Sequence, residues 1–273
     1  MMPITVTPLD AALLGLVEGL TEYLPVSSTG HLILTSRLLG LGESPAVKSF
    51  EIVIQAGAIL AVLGLYRQRV RQMLAGLWGR DPAGRRLLIN LVVAFLPAAV
   101  IGLLLKDLIK AYLFHPTPVA AALGLGGLAM VFSGGLQRRR SAQGTSLEHL
   151  RPGQALLIGL AQCLAMWPGT SRSLATILAG LGIGLTPVAA AEFSFLLALP
   201  TLGGATFLDL LTDGRTLIEG VGPLALAIGL AVAFASAAVA VKGFVAWLTR
   251  HSLAPFGYYR LLLAGLVWFF WLR

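Results

Sequence analysis

Residues 9–40 read LDAALLGLVEGLTEYLPVSSTGHLILTSRLLG: an apolar arm, a polar tip at Pro25–His31, and a second apolar arm. Each arm holds about 11–16 residues. At about 1.5 Å of rise per residue neither crosses a hydrocarbon core of about 30 Å. The pattern predicts a re-entrant hairpin with its tip at membrane depth, where irregular backbone survives only inside protein or beside a wet cavity. Residues 153–182, GQALLIGLAQCLAMWPGTSRSLATILAGLG, repeat the plan around a tip at Trp167–Ser173.

Around these hairpins lie long apolar runs rich in Leu, Ala, Val and Gly. Six are expected to be full spans, at 47–66, 87–106, 116–136, 186–208, 219–241 and 254–272. A β-barrel would instead alternate apolar and polar residues in short segments. The composition agrees: 57% of the 273 residues are hydrophobic and 12% charged, and the mean hydropathy is +0.85. An ordinary soluble domain carries roughly 25% charge. A soluble enzyme, a disordered chain and a nucleic-acid module are therefore excluded as first readings, and no nucleic-acid partner is expected. The lone Cys163 rules out a disulfide framework and a cysteine zinc cluster. The start, MMPITVTPLD, lacks the pattern of a cleavable signal peptide.

The expected fold class is an all-α integral membrane protein forming one membrane domain over 1–273. Repeat one covers about 1–136 and repeat two about 152–273, each a re-entrant hairpin plus three spans, joined by a cytoplasmic linker at 137–151. Three spans are an odd number, so the second repeat starts on the opposite face and the two tips approach each other near mid-membrane. Charge sets the orientation. Loops 67–86, 137–152 and 242–253 carry twelve Lys or Arg, against six on the other face. The richer face is expected to be cytoplasmic, with both termini and the cavity mouth outward.

Ionisable side chains at membrane depth cost several kcal/mol and call for a partner or a task. Glu18 and Glu22 share one helix face. Two carboxylates so placed need a cation, a histidine or a shared proton between them, so the pair reads as a metal site or an acid/base pair. The next tip adds Ser27, Ser28, Thr29 and His31. One hydroxyl would serve as a helix cap; three, with exposed N–H groups at a helix start, suit a phosphate. One helical turn could bring His31 near the Ser28 hydroxyl, and serine needs an adjacent base to attack. The second tip supplies Gly169, Thr170, Ser171, Arg172 and Ser173. Its guanidinium suits bidentate phosphate binding. A buried ion pair with Glu22, Glu51 or Glu192 is compatible with that task if it opens when phosphate arrives. Gln162 and Thr176 are weaker orienting groups. Tyr258-Tyr259-Arg260 reads evenly as an interfacial anchor or a phosphate helper. Acidic and basic tips facing each other suit hydrolysis of a phosphoanhydride whose apolar tail stays in the bilayer.

At these residues the chain resembles the bacterial undecaprenyl-diphosphatase family, the integral-membrane type tied to bacitracin resistance. The motifs are EGLTEYLPVSSTGHL at 18–32 and PGTSRSLAT at 168–176, supported by FEIVIQAGAILAV at 50–62 and AAEFSFLLALP at 190–200. Leu174 stands where similar proteins often have glycine. The resemblance implies release of the terminal phosphate of undecaprenyl diphosphate, which returns the carrier lipid to cell-wall synthesis in the bacterial cytoplasmic (inner) membrane. It implies catalytic roles for Ser28, His31, Glu22 and Glu18. It places the diphosphate on Arg172; the other tip residues, Ser171, Ser173, Thr170, Gly169, Ser27 and Thr29, are read as further diphosphate-binding candidates. A divalent cation, magnesium or calcium, is expected, with Glu18 and Glu22 as its candidate ligands. Two nucleophiles stay open, Ser28 and His31. Transport of undecaprenyl phosphate through the same phosphate site is the alternative function. Membrane lipids are expected partners, and the sequence leaves open whether the chain is a homo-oligomer.

Overall fold

Proline decides where many of the helices begin. The computed structural model describes residues 6–41, 44–113 and 116–271, which are almost entirely helical. In order they are α1 (Pro8–Thr21), α2 (Ser28–Leu38), α3 (Pro45–Val53), α4 (Gln55–Leu65), α5 (Arg67–Leu77), α6 (Pro82–Leu113), α7 (Pro116–Phe132), α8 (Gly134–Gln143), α9 (Pro152–Gln162), α10 (Arg172–Ile183), α11 (Pro187–Val221), α12 (Pro223–Leu248) and α13 (Ala254–Trp271). Pro8, Pro45, Pro152, Pro187 and Pro223 occupy first-turn positions. There the missing N–H costs nothing and the fixed φ suits the helix. The expected termini, residues 1–5 and 272–273, lie outside the described residues.

Four stretches are long and apolar enough to cross a membrane: Pro45–Leu65, Pro82–Leu105, Pro187–Val221 and Pro223–Leu248, or five with the bent pair α7–α8. The architecture is that of an all-α, multi-pass membrane protein.

Three expected boundaries differ. The span at 47–66 breaks at Ile54 into α3 and α4. Next to the break, the Thr206 hydroxyl donates to the Ile52 carbonyl at 3.3 Å, an inserted side chain of the kind that bends helices. The run at 116–136 bends by 50° around Ser133. No loop separates 208 from 219, since α11 continues to Val221. Its polar stretch stays helical because Thr212 bonds the Leu208 carbonyl at 3.1 Å and Arg215 pairs with Glu219, one turn on, at 2.7 Å.

Packing relates the two halves. One constant offset takes Pro8 to Pro152, Asp10 to Gln154, Gly15 to Gly159, Glu18 to Gln162 and Ser27 to Ser171. Helix α1 packs on α12, and α9 packs on α6. Both contacts depend on the matched glycines. A methyl on Gly15 would sit 2.4 Å from the Gly229 carbonyl oxygen, and one on Gly159 2.3 Å from that of Ala94. Between α7 and α13 the contact is reciprocal: Gly127 faces the Gly257 carbonyl and Gly257 faces that of Gly127. Small residues let helix backbones approach this closely in lipid, where dispersion rather than water exclusion holds helices together.

The basic loops are tied down by Arg69 on α5. Its Nε donates to Glu192 and its Nη2 to Glu148, each at 2.7 Å. Hydrogen bonding to Arg69 pulls the Glu148 carboxyl down to about 2. A carboxyl held this low contributes stability that is present above its unfolded value of about 4.3 and lost as pH falls through about 2. Arg69→Ala is expected to cost about 1–2 kcal/mol, mostly through the better-buried Glu192, because the half-exposed Glu148 is screened by water. The gap between thermal melts of wild type and variant in detergent should narrow by the Glu148 share as pH drops from about 4 to about 2. A gap that does not shrink would remove Glu148 from this account.

Candidate active site

Both polar tips have the same local construction. Ser27 has φ 75° and ψ 92°, and Ser171 has φ 75° and ψ 119°. They are the only non-glycine residues with positive φ among the described residues. Such backbone costs about 1–3 kcal/mol and persists where the surroundings force it. Each serine caps the helix it precedes. Ser27 Oγ accepts from the Gly30 N–H at 3.4 Å, and Ser171 Oγ accepts from the Leu174 N–H at 3.3 Å.

The tips meet. Arg172 Nη2 donates to Glu22 Oε1 at 2.8 Å, both side chains being over nine-tenths buried. Ser28 Oγ donates to the other oxygen of the same carboxylate, Glu22 Oε2, at 2.5 Å. Ser173 Oγ donates to the Leu24 carbonyl at 3.0 Å and shares a hydrogen bond with Ser171 Oγ at 3.0 Å. Glu22 is thus the hub: one oxygen faces a hydroxyl from its own tip, the other a cation from the opposite tip. Of the three carboxylates considered for Arg172, Glu22 is the one it pairs with. Glu192 goes to Arg69, and Glu51 accepts from Ser36 Oγ at 2.5 Å.

His31 turns away from Ser28. Its Nδ1 lies 2.7 Å from the Ser27 carbonyl and its Nε2 2.6 Å from the Tyr259 hydroxyl. A carbonyl only accepts, so Nδ1 carries the hydrogen; in the neutral ring Nε2 then accepts from the tyrosine. The expected approach of imidazole to the Ser28 hydroxyl is therefore corrected: from the first turn of α2, the ring leans toward α13 and stacks on Tyr259. Thr29 is exposed, while Gly169 is buried and Thr170 half-buried beside their cap.

Glu18 is fully buried, and neither carboxylate oxygen has a hydrogen-bond partner among the described residues. Its counterpart in the second half, Gln162, accepts from Thr201 at 3.4 Å. Thr176 orients the arginine's surroundings by donating to Ser194 Oγ at 2.7 Å.

Two residues absent from the sequence-based site pack against Arg172, and two that the sequence left between anchor and phosphate helper, Tyr259 and Arg260, find other partners. Ser194 accepts from Arg172 Nη1 through its carbonyl at 2.6 Å. Tyr23 lies under the same guanidinium, its ring centroid 5.6 Å away, with its hydroxyl anchored on the Ala58 carbonyl at 3.0 Å. The motif stretches 18–32 and 190–200 contain both, but nothing in their spacing marked them. Tyr259 holds His31. Arg260 is completely buried and is not an interfacial anchor; its guanidinium is taken up by backbone carbonyls. Leu174 is buried over Gly126, which explains how a bulky residue fits after Ser173.

The arrangement brings together a hydroxyl bonded to a carboxylate, a guanidinium paired with the same carboxylate, and an imidazole held by a tyrosine. The family described as bacitracin resistance protein BacA matches residues 11–266. The undecaprenyl-diphosphatase of Sorangium cellulosum is 53% identical over 260 residues, covering 94% of this chain and 84% of that protein. Undecaprenyl-diphosphatase 2 of Rhodospirillum rubrum is 48% identical, covering 93% and 91%. The undecaprenyl-diphosphatase of Nitrosomonas europaea is 47% identical, covering 93% and 90%.

Proposed function

Because this chain belongs to the BacA bacitracin resistance family, it is an undecaprenyl-diphosphatase, and we propose that Glu22 is the base that activates Ser28 against the terminal phosphorus of its lipid substrate. The reaction converts undecaprenyl diphosphate to undecaprenyl phosphate and inorganic phosphate, recycles the cell-wall carrier lipid and confers bacitracin resistance. Transport is not favoured, since the matched relatives carry the names of hydrolases.

The observation carrying the mechanism is the 2.5 Å hydrogen bond from Ser28 Oγ to Glu22 Oε2. A base must lie within such reach of the proton it removes. On binding, the terminal phosphate takes over the Arg172 guanidinium, in bidentate fashion, from Glu22. That frees Glu22 Oε1 while Oε2 keeps its hydrogen bond to the nucleophile. Ser28 Oγ forms a bond to phosphorus while its proton passes to Glu22. The bond from phosphorus to the bridging oxygen breaks, and undecaprenyl phosphate leaves with that oxygen. Water then attacks the phosphoserine phosphorus and passes one proton to His31; the bond from phosphorus to Ser28 Oγ breaks, Oγ takes its proton back from Glu22, and inorganic phosphate departs, carrying off the proton held by His31. His31 is bonded away from Ser28, so it is assigned to the second step, with Tyr259 fixing its orientation. Ser171, Ser173, Thr170, Gly169, Ser27 and Thr29 line the two strained turns that receive the phosphates.

A divalent cation fits this donor set. Glu18 has two buried oxygens with no partner among the described residues, and Glu22 lies one turn on. Among the described residues no cluster of three or more His, Cys, Asp or Glu occurs. Magnesium typically takes one or two carboxylates and completes its shell with water and substrate phosphate. Glu18 and Glu22 would hold it, and when bound it would offset the charge of the diphosphate.

The reciprocal packing of α1 on α12 and α9 on α6 supports two inverted repeats with α1–α2 and α9–α10 as re-entrant hairpins in a six-span chain. The basic loops would face the cytoplasm of an inner membrane, with termini and cavity mouth outward.

Phosphate release from a long-chain prenyl diphosphate by purified protein in detergent tests the function, because a micelle has no sides to cross. Release that is enhanced by magnesium or calcium and lost in Ser28→Ala is expected. A folded protein that binds the lipid and releases nothing would contradict it.

A further inference from the structure

Among the described residues Arg260 is the largest fully buried side chain, and it has no carboxylate among its described partners. Its guanidinium instead donates to four backbone carbonyls: Leu123 from Nε at 3.3 Å, Pro25 from Nη1 at 3.2 Å, and Ala122 and Gly169 from Nη2 at 3.0 and 2.7 Å. Two of these belong to the tips. Pro25 lies two residues before the strained Ser27, and Gly169 two residues before the strained Ser171. They are counterparts under the offset that relates the hairpins. One guanidinium therefore holds the same peptide in both tips and fastens them to α7.

We infer that Arg260 is a positioning residue that sets the distance between the tips, and so aligns Ser28 and Glu22 with the phosphate held by Arg172. This rests on the hydrolase reading above. Arg260 has no surface of its own to offer a substrate, so it acts only through the backbone it grips. A lysine can replace its charge but not its planar fork, which reaches several acceptors at once. The space around the fork is equally specific. A methyl on Gly126 would sit 2.2 Å from Arg260 Nη2 and 2.8 Å from the Leu174 side chain. Gly126→Ala thus displaces the guanidinium while leaving its charge and every acceptor in place.

The test measures kcat, KM and melting of purified Arg260→Lys and Gly126→Ala beside wild type, with a long-chain prenyl diphosphate in detergent. A misplacement of about 1 Å can cost about 100-fold in rate. In both variants kcat should fall by about 10- to 100-fold, with KM within about threefold and a cooperative melt retained. If Arg260→Lys does not fold, Gly126→Ala decides alone. Wild-type kcat in either variant would overturn the proposal. So would a raised KM at unchanged kcat, which would make Arg260 a binding element. Wild-type protein that releases no phosphate in the same assay would instead count against the hydrolase reading.

Discussion

Glu22→Gln is expected to lower kcat by about 1,000-fold, within the range of about 100- to 10,000-fold for loss of a positioned base. The amide still accepts the Ser28 hydroxyl hydrogen bond but cannot take its proton. The same change removes the carboxylate that Arg172 holds in the free protein at 2.8 Å. The guanidinium then has no internal competitor for phosphate, so KM should stay level or fall. A low kcat at an undiminished affinity is the signature, read from initial rates across substrate concentration. A raised KM with kcat intact would mean that Glu22 binds rather than activates.

Arg172→Lys should give the opposite pattern. The ammonium can still pair with Glu22, so the tips stay joined and the fold survives. It loses the fork that spans Glu22 on Nη2 and the Ser194 carbonyl on Nη1. It also loses the planar face over Tyr23. Bidentate grip on phosphate goes with it. Both kcat and affinity should drop, with kcat/KM down by about 100- to 1,000-fold, as for removal of one donor aimed at developing charge. Near-normal kcat/KM would show that a point charge suffices and that the fork is unimportant.

The parts of the site legible in the sequence are those with local rules. The cap at Ser27 and the one-turn spacing of Glu18 and Glu22 are short-range patterns; the Ser27 hydroxyl does cap α2, but from φ 75°, and α1 ends at Thr21, four residues before Pro25. The junction of Arg172 with Glu22 spans 150 residues. It was accessible only because an arginine and a carboxylate at membrane depth need each other. His31 illustrates the limit. Helical spacing put it near Ser28, but its partner is Tyr259, 228 residues away, and no period links them. Arg260 left still less trace, because its partners are carbonyls, which every residue carries. Helix lengths failed for a related reason. The polar stretch at 209–218 looks like a loop by composition, yet Thr212 donates back to the Leu208 carbonyl and Arg215 pairs with Glu219 along a continuous helix.

The covalent step at Ser28 is tested most directly by quenching turnover of a prenyl diphosphate labelled in its terminal phosphate. The protein is denatured in acid and the label mapped to a peptide. The account predicts acid-stable label on the peptide containing Ser28, absent in Ser28→Ala and reduced in Glu22→Gln. Acid-labile label on His31, or full turnover with no label retained at any quench time, would contradict it.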